Sequence, residues 1–202
     1  MRSLRGQKLC LATHNRGKAE EISALLGPYG VEVVTAGELG LPEPVETGTT
    51  FLENARLKAH AAASSSGMVA LADDSGICVD ALGGAPGVYT SDWAETPQGR
   101  DFTLAMTRTW AALEAAGAPE PRRAQFRCTL VLAWPDGTDA VFEGSMGGRI
   151  VWPMRGDQGH GYDPIFQPDG FDVTFAGMGR WQKNQISHRA DAFAKLVATC
   201  FT

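Results

Sequence analysis

The stretch ALADDSGICVD, from Ala70 to Asp80, sets two carboxylates side by side, Asp73 and Asp74, behind the apolar run Met68 to Ala72 and ahead of Ser75-Gly76. Neighbouring like charges repel and aspartate is depleted from strand interiors, so the pair must be relieved by solvent, a turn, a cation or a ligand. Side chains alternate along a strand, which predicts that Asp73 and Asp74 point to different sides, one serving a site and the other structure. The ordinary reading is an Asx-turn closing a strand at Ala72. Against it, the carboxyl end of a strand parallel to its neighbours is where open α/β sheets present ligand sites, and Ser75-Gly76 lets backbone come close to whatever binds.

Three further groups could do chemistry. THNRGK (Thr13, His14, Asn15, Arg16, Gly17, Lys18) lies between a strand and a helix start, where backbone N–H groups and the helix dipole favour an anion and Lys18 adds charge. It does not match the GxxxxGK[ST] phosphate loop, and on spacing alone it is equally a polar loop capped by Asn15. Asn54 and Lys58 share one helix face at i and i+4, which by itself describes a solvated face. GHGYDPIF (Gly159 to Phe166) holds Asp163 out of the helical region through Pro164, and Ser187-His188-Arg189 puts a ring donor and a guanidinium at a helix start. Alone, His160 and His188 read as surface or capping histidines. Neither belongs to an HExxH pattern or a Cys/His cluster, which argues against structural zinc.

The elements that must position these groups alternate between strand and helix. Lys8 to Ala12 reads as a short buried strand, and the segment from Gly17 carries Ile22, Leu25 and Leu26 at helical spacing up to a C-cap at Gly27. Val31 to Ala36 is a second strand. Thr50 and Glu53 make a T-x-x-E capping box for the next helix. Gly83 to Gly87 is a glycine-rich turn, and Thr96-Pro97 fits N-cap and N1 of a helix running to Ala116. AQFRCTLVLAW and DAVFEGSMGGRIV form an antiparallel hairpin about PDGT. Residues 152–170 carry too much Gly and Pro for regular structure and read as an ordered loop. The last helix begins near Ser187 and buries Phe193, Ala194 and Val197. The sum is an α/β domain with a mixed sheet spanning 1–202.

Composition bounds the partners. A chain of 202 residues, 44% of them hydrophobic, buries a real core. A net charge of -5 argues against nucleic-acid and membrane-surface partners, so any anionic ligand must be met by local positive charge or a metal. Cys10, Cys78, Cys128 and Cys200 lack metal-ligand spacing and read as reduced, buried small hydrophobes. No window resembles a signal-peptide core or a membrane span, so cytoplasmic residence is expected.

LATHNRGKAEEI, ETGTTFLENARLKA, LADDSGICVDALGGAPGVY, GHGYDPIF and KNQISHR together resemble the inosine triphosphate pyrophosphatase family, in the same order from residue 9 to about residue 197. The resemblance implies an elongated mixed central sheet flanked by helices, with two lobes and a cleft between them. It also implies a homodimer that uses Mg²⁺ to cleave ITP, dITP and XTP to monophosphate and pyrophosphate. Carried over, Thr13 to Lys18 hold the triphosphate, chiefly through Asn15 and Lys18. Asp74 is the catalytic carboxylate and a Mg²⁺ ligand, Glu46 a second ligand, Lys58 a further phosphate-side charge and Ser75 a substrate contact. His160, Gly161, Tyr162, Asp163, His188 and Arg189 surround the base, with Lys183 nearby. Asp73 is left to shape the turn. Three positions depart from the pattern: His160 replaces an aromatic, Asp92 and Trp93 replace Ala-Arg after Ser91, and Gly177 replaces an acid. A pyrophosphatase of modified pyrimidines and a non-catalytic nucleotide sensor are the alternatives. The GYDP and SHR elements disfavour the first, and the intact Asp74 and Glu46 the second. An aspartyl-nucleophile phosphatase would want D-x-D, which DDSG does not supply.

Overall fold

The computed structural model describes residues 2–201. A six-stranded sheet runs in the order β2-β1-β3-β6-β7-β8. Its strands are β1 (Lys8–Leu11), β2 (Glu32–Thr35), β3 (Val69–Val79), β6 (Arg123–Ala133), β7 (Asp139–Ile150) and β8 (Phe166–Pro168). β1 pairs in parallel with β2 and β3, whereas β7 and β8 are antiparallel, so the sheet is mixed as expected. β4 (Glu95–Thr96) and β5 (Gly99–Arg100) form a separate small hairpin. The helices are α1 (Arg16–Leu26), α2 (Phe51–Ser66), α3 (Phe102–Ala115), α4 (Arg180–Ile186) and α5 (His188–Cys200). None of the described helices is long and apolar enough to cross a membrane.

The chain divides into two compact units. The first comprises Met1–Asp74, Cys128–Gly144 and Arg189–Thr202, and its core follows the period of two along its strands. Leu9 and Leu11 of β1, Val69 and Leu71 of β3, and Leu130 and Leu132 of β6 share one face, packed against Ile22 and Leu26 of α1 and Phe193 and Leu196 of α5. Cys10, Ala70, Ala72, Val131 and Ala133 share the other, packed against Ala55, Ala59, Ala62 and Ala63 of α2. Alanine on both sides of that second layer brings α2 close to the sheet. The second unit, Ser75–Arg127 with Ser145–His188, has its own aromatic core. Phe126 lies 4.8 Å from Phe166 edge to face and stacks on Phe175 at 5.8 Å.

Several local expectations are corrected. The strand does not stop at Ala72: β3 continues through Asp73, Asp74 and Ser75 to Val79. Thr96 sits in the small hairpin, and Asp101 is the N-cap of α3, accepting from Leu104 N at 3.1 Å. Gly27 is the C-cap of α1 as expected, but right-handed at φ -48°, and the chain passes on into a 3₁₀ turn that ends at left-handed Gly30, φ 65°. Residues 152–170 include a short strand, β8. α5 starts at His188, near Ser187 as expected, and buries Ala192, Phe193, Leu196 and Cys200, whereas Ala194 is exposed and Val197 half-buried. The Thr50–Glu53 capping box forms with both reciprocal bonds.

Candidate active site

Strand alternation gives the aspartate doublet its meaning. Asp73 follows Leu71 on the face covered by α1 and α5, and Asp74 follows Ala72 on the face covered by α2. Each finds its cations there. Lys18 Nζ of α1 lies 2.6 Å from Asp73 Oδ1, and Arg189 of α5 donates from Nε to Asp73 Oδ2 at 3.1 Å. Cys128 Sγ donates to the same Oδ2 at 3.0 Å, and Glu21 of α1 takes the Arg189 Nη1 donor. Burial alone would push the Asp73 carboxyl up, but Arg189 and Lys18 outweigh it and hold the carboxyl well below the usual range. Asp73 is therefore a permanent anion within an ion-pair network, not the turn-shaping residue expected.

On the other face, Lys58 Nζ of α2 donates to Glu46 Oε1 at 2.7 Å and to Asp74 Oδ1 at 3.0 Å. Lys58 is 9% exposed, which overturns the reading of its helix face as solvated. Burial disfavours its charge, yet the Asp74 and Glu46 carboxylates more than compensate and raise its pKa. One ammonium serves two carboxylates, so Asp74 is left undercompensated: burial raises its pKa despite Lys58 and Lys18. Its second oxygen, Oδ2, is buried and has no hydrogen-bond partner. Asn54, whose neighbour on the face is Lys58, is also buried and accepts from Gly48 N at 2.8 Å, tying the loop that carries Glu46 to the start of α2. A Cβ on Gly48 would stand 2.6 Å from Asn54 Oδ1, so the close approach needs glycine.

The loop before α1 is built as a cap. Asn15 Oδ1 accepts from Lys18 N at 3.1 Å, and Thr13 Oγ1 accepts from Asn15 N at 3.1 Å. His14 Nε2 donates to Leu41 O at 3.0 Å, and Arg16 pairs with Glu20 at 3.0 Å in the open. The cap and the phosphate reading coexist, because no acidic residue occupies the first turn to neutralise the dipole. Ser75 is half-buried within β3.

In the second unit, Asp163 is the centre. Its Oδ2 accepts from Lys183 Nζ at 2.6 Å and from the His160 backbone N at 2.8 Å. Gly159, at φ +75°, would place a Cβ 2.0 Å from that oxygen, so only glycine lets the loop wrap the carboxylate. Gly161 is also left-handed at φ +66°. The His160 side chain is 36% exposed. His188 stacks flat on Phe126, ring centroids 4.8 Å apart and planes 13° apart. Tyr162 is 1% exposed, its hydroxyl donates to Thr90 O at 3.2 Å, and burial pushes the phenol up to about 12. The Arg189 guanidinium bonds Asp73 and Glu21 in the first unit. Lys183→Met would strip the ammonium from a buried carboxylate and leave it the His160 amide at 2.8 Å and the His160 ring at 3.9 Å. It should cost about 2 kcal/mol of unfolding free energy in urea titration.

A model of the Ham1 family matches residues 9–199. This chain belongs to the Ham1 family. Among its Ham1-family relatives, a Ruegeria pomeroyi protein named dITP/XTP pyrophosphatase is 64% identical over 200 residues, covering 99% of this chain and 98% of that protein. A Mesorhizobium japonicum protein of the same name is 52% identical over 208 residues, covering 98% and 94%. The solved structure of a HAM1 protein from Coxiella burnetii superposes with a TM-score of 0.86 at 36% identity, covering 95% of this chain and 97% of that one. The family resemblance carried by the five motifs is thus borne out over nearly the whole chain.

The donor set of this Ham1-family chain suits a hard divalent cation. Asp74 offers a buried oxygen with no partner, and Glu46 shares the Lys58 ammonium with it. Among the described residues no group of three or more His, Cys, Asp or Glu side chains could cage a metal. Two carboxylates without soft ligands suit a hard cation that keeps waters and takes phosphate oxygens to complete its coordination.

Glu21 and Cys128 escaped the sequence reading. Glu21 stands inside the first motif, LATHNRGKAEEI, but its partner Arg189 lies 168 residues further along the chain, and Cys128 read as an apolar filler because Asp73, to which its thiol donates, comes from another strand.

Proposed function

We propose that this chain hydrolyses noncanonical purine nucleoside triphosphates, dITP, ITP and XTP, to the nucleoside monophosphate and pyrophosphate. The observation that carries the reading is Asp74, a buried carboxylate anchored by Lys58 at one oxygen and unpartnered at the other, beside Glu46. It stands in a chain 64% identical to a protein named dITP/XTP pyrophosphatase.

The residues divide the work. Lys18 and the open first turn of α1 bind phosphate oxygens, and Lys58 adds charge beside Asp74. Asp74 Oδ1 is fixed by Lys58, so Oδ2 is the oxygen that accepts the proton of the attacking water, and its burial-raised pKa strengthens it as a base. Asp74 and Glu46 would hold Mg²⁺, which would supply charge neutralisation for the phosphates. Asp73, clamped by Arg189, keeps Lys18 in place. Ser75 contributes a hydroxyl to the substrate.

His160, Gly161, Lys183 and His188 read the base, with Asp163 orienting Lys183 and the His160 amide. Donors of this kind bond a 6-keto purine, whereas the 6-amino group of adenine would face them with another donor. The half-exposed His160 ring takes the stacking place that an aromatic fills in the family pattern. The working form is a homodimer, as the resemblance implies.

Purified protein with Mg²⁺ should release pyrophosphate from dITP, ITP and XTP at least roughly a hundredfold faster, in kcat/KM, than from ATP or GTP. Phosphate-detection assays with and without added pyrophosphatase separate the products. Equal rates on all five, or orthophosphate as the first product, would overturn the reading.

A further inference from the structure

We propose that His14 takes up a proton as the triphosphate binds and then holds a phosphate oxygen through Nδ1; the proposal rests on the reading of Thr13 to Lys18 as the phosphate loop. One edge of the ring is already committed. Nε2 lies 3.0 Å from Leu41 O, and a Cβ on Gly37 would stand 3.8 Å from Cδ2, so the Cδ2–Nε2 edge faces the turn of residues 37–41. A carbonyl oxygen only accepts, which fixes the ring hydrogen on Nε2.

In the neutral ring Nδ1 is then a bare lone pair, an acceptor where a phosphate oxygen needs a donor. It lies on the other edge of an exposed side chain, two residues before the open first turn of α1. An arriving anion meets that lone pair unfavourably until a proton from solvent joins it. Both nitrogens then donate, Nε2 to Leu41 and Nδ1 to the phosphate, and no bond of the free protein has to break.

The charges around the ring leave it as the group that responds. Beside it on the chain, Arg16 pairs with Glu20 at 3.0 Å and Lys18 with Asp73 at 2.6 Å. On the facing turn, Glu38 accepts from Thr35 N and Oγ1 at 2.7 and 2.9 Å, bonds that lower its pKa and keep it ionised. Glu43 and Glu46 follow on the same segment, the latter meeting Lys58 at 2.7 Å. Carboxylate, ammonium and guanidinium groups keep their charge between about pH 6 and pH 8, whereas an imidazole changes its own there. Linkage is reciprocal: an anion that favours the imidazolium is itself bound more tightly as the pH falls through that range.

Two-bond nitrogen–proton NMR of the full chain tests the tautomer, with His14→Gln to assign the signals and His60, whose Nε2 meets Asp139 Oδ2 at 3.0 Å, as reference. Free protein at about pH 8 should show His14 neutral with its hydrogen on Nε2. Pyrophosphate added at about pH 7 should convert most of it to imidazolium and leave His60 as it was. Calorimetric titration with pyrophosphate in buffers of different ionisation enthalpy counts the protons. For a roughly tenfold preference for the imidazolium, the wild-type protein should take up about half a proton more per pyrophosphate than His14→Gln at about pH 7. Its affinity relative to that variant should grow about sixfold from about pH 8 to about pH 6. Glutamine still donates to Leu41 O but does not titrate, and the titration of pyrophosphate itself is common to both proteins. A bonded contact survives salt that screens a distant field, so the extra uptake should persist at about 0.5 M NaCl. Hydrogen on Nδ1 in the free ring, equal proton uptake by the two proteins, or an uptake that salt abolishes would overturn the role of His14 alone. A wild-type protein that binds no pyrophosphate would overturn it together with the phosphate-loop reading.

Discussion

Asp74→Asn should reduce pyrophosphate release from dITP by about a thousandfold or more while leaving a folded protein, because it removes the proton acceptor and a metal ligand in one change. The amide keeps an oxygen for Lys58 but is not a base. Stability should hold for a separate reason. Folding raises the Asp74 pKa, so the native state binds its proton more tightly than the unfolded chain does. That works in favour of the fold below the unfolded value of about 4 and against it once the pH exceeds the folded value. At neutral pH the ionised carboxylate is thus a liability that asparagine removes. Lys58 loses one of two carboxylate partners and retains Glu46. The two effects oppose, and the thermal midpoint should fall by no more than about 3 °C. Calorimetry beside a steady-state assay checks both halves. A variant that keeps even a tenth of the activity would show that the acceptor lies elsewhere.

Arg189→Met should have the opposite profile, with stability as the first casualty. The substitution keeps much of the side-chain volume but leaves Asp73 facing Lys18 and Cys128, and Glu21 without its guanidinium. Removing one partner of a buried charge group costs about 4 kcal/mol, because the surviving charges remain desolvated. Urea unfolding should record that loss, and adding Glu21→Gln should return part of it. The pH dependence carries a second signature. Folding lowers the Asp73 pKa, so the wild-type protein holds this contribution above the unfolded value of about 4 and loses it as the pH falls towards the folded one. In Arg189→Met that acid-side slope should flatten. An unchanged slope would mean that Asp73 draws its stabilisation from Lys18 alone.

Local signals in the sequence located most elements and the family. The capping box at Thr50 and Glu53, the hairpin about PDGT and the alternation of the doublet all depend on neighbours within a few residues, and each formed as read. What escaped depends on distant chain. Asp73 is tolerated inside β3 because Lys18 and Arg189, the latter 116 residues away, reach its carboxylate, so nothing near the doublet announces that the strand continues. Lys58 looked solvent-facing because Glu46 and Asp74, which bury it, lie on other elements. At Thr96-Pro97 two caps competed within six residues. The hairpin of β4 and β5 used Thr96, whose hydroxyl donates to Gly99 O at 2.6 Å, and left Asp101 to start the helix.

The ammonium that joins Glu46 to Asp74 also separates the upkeep of the protein from the supply of its ion. Two acidic groups gathered for a divalent cation would normally push each other apart whenever that cation was scarce, and the fold would then depend on it as zinc fingers do. Lys58 acts as a resident counterion that is never withdrawn. The two carboxylates therefore stay assembled whether or not a cation is bound, and the fold around them does not have to be rebuilt each time one arrives.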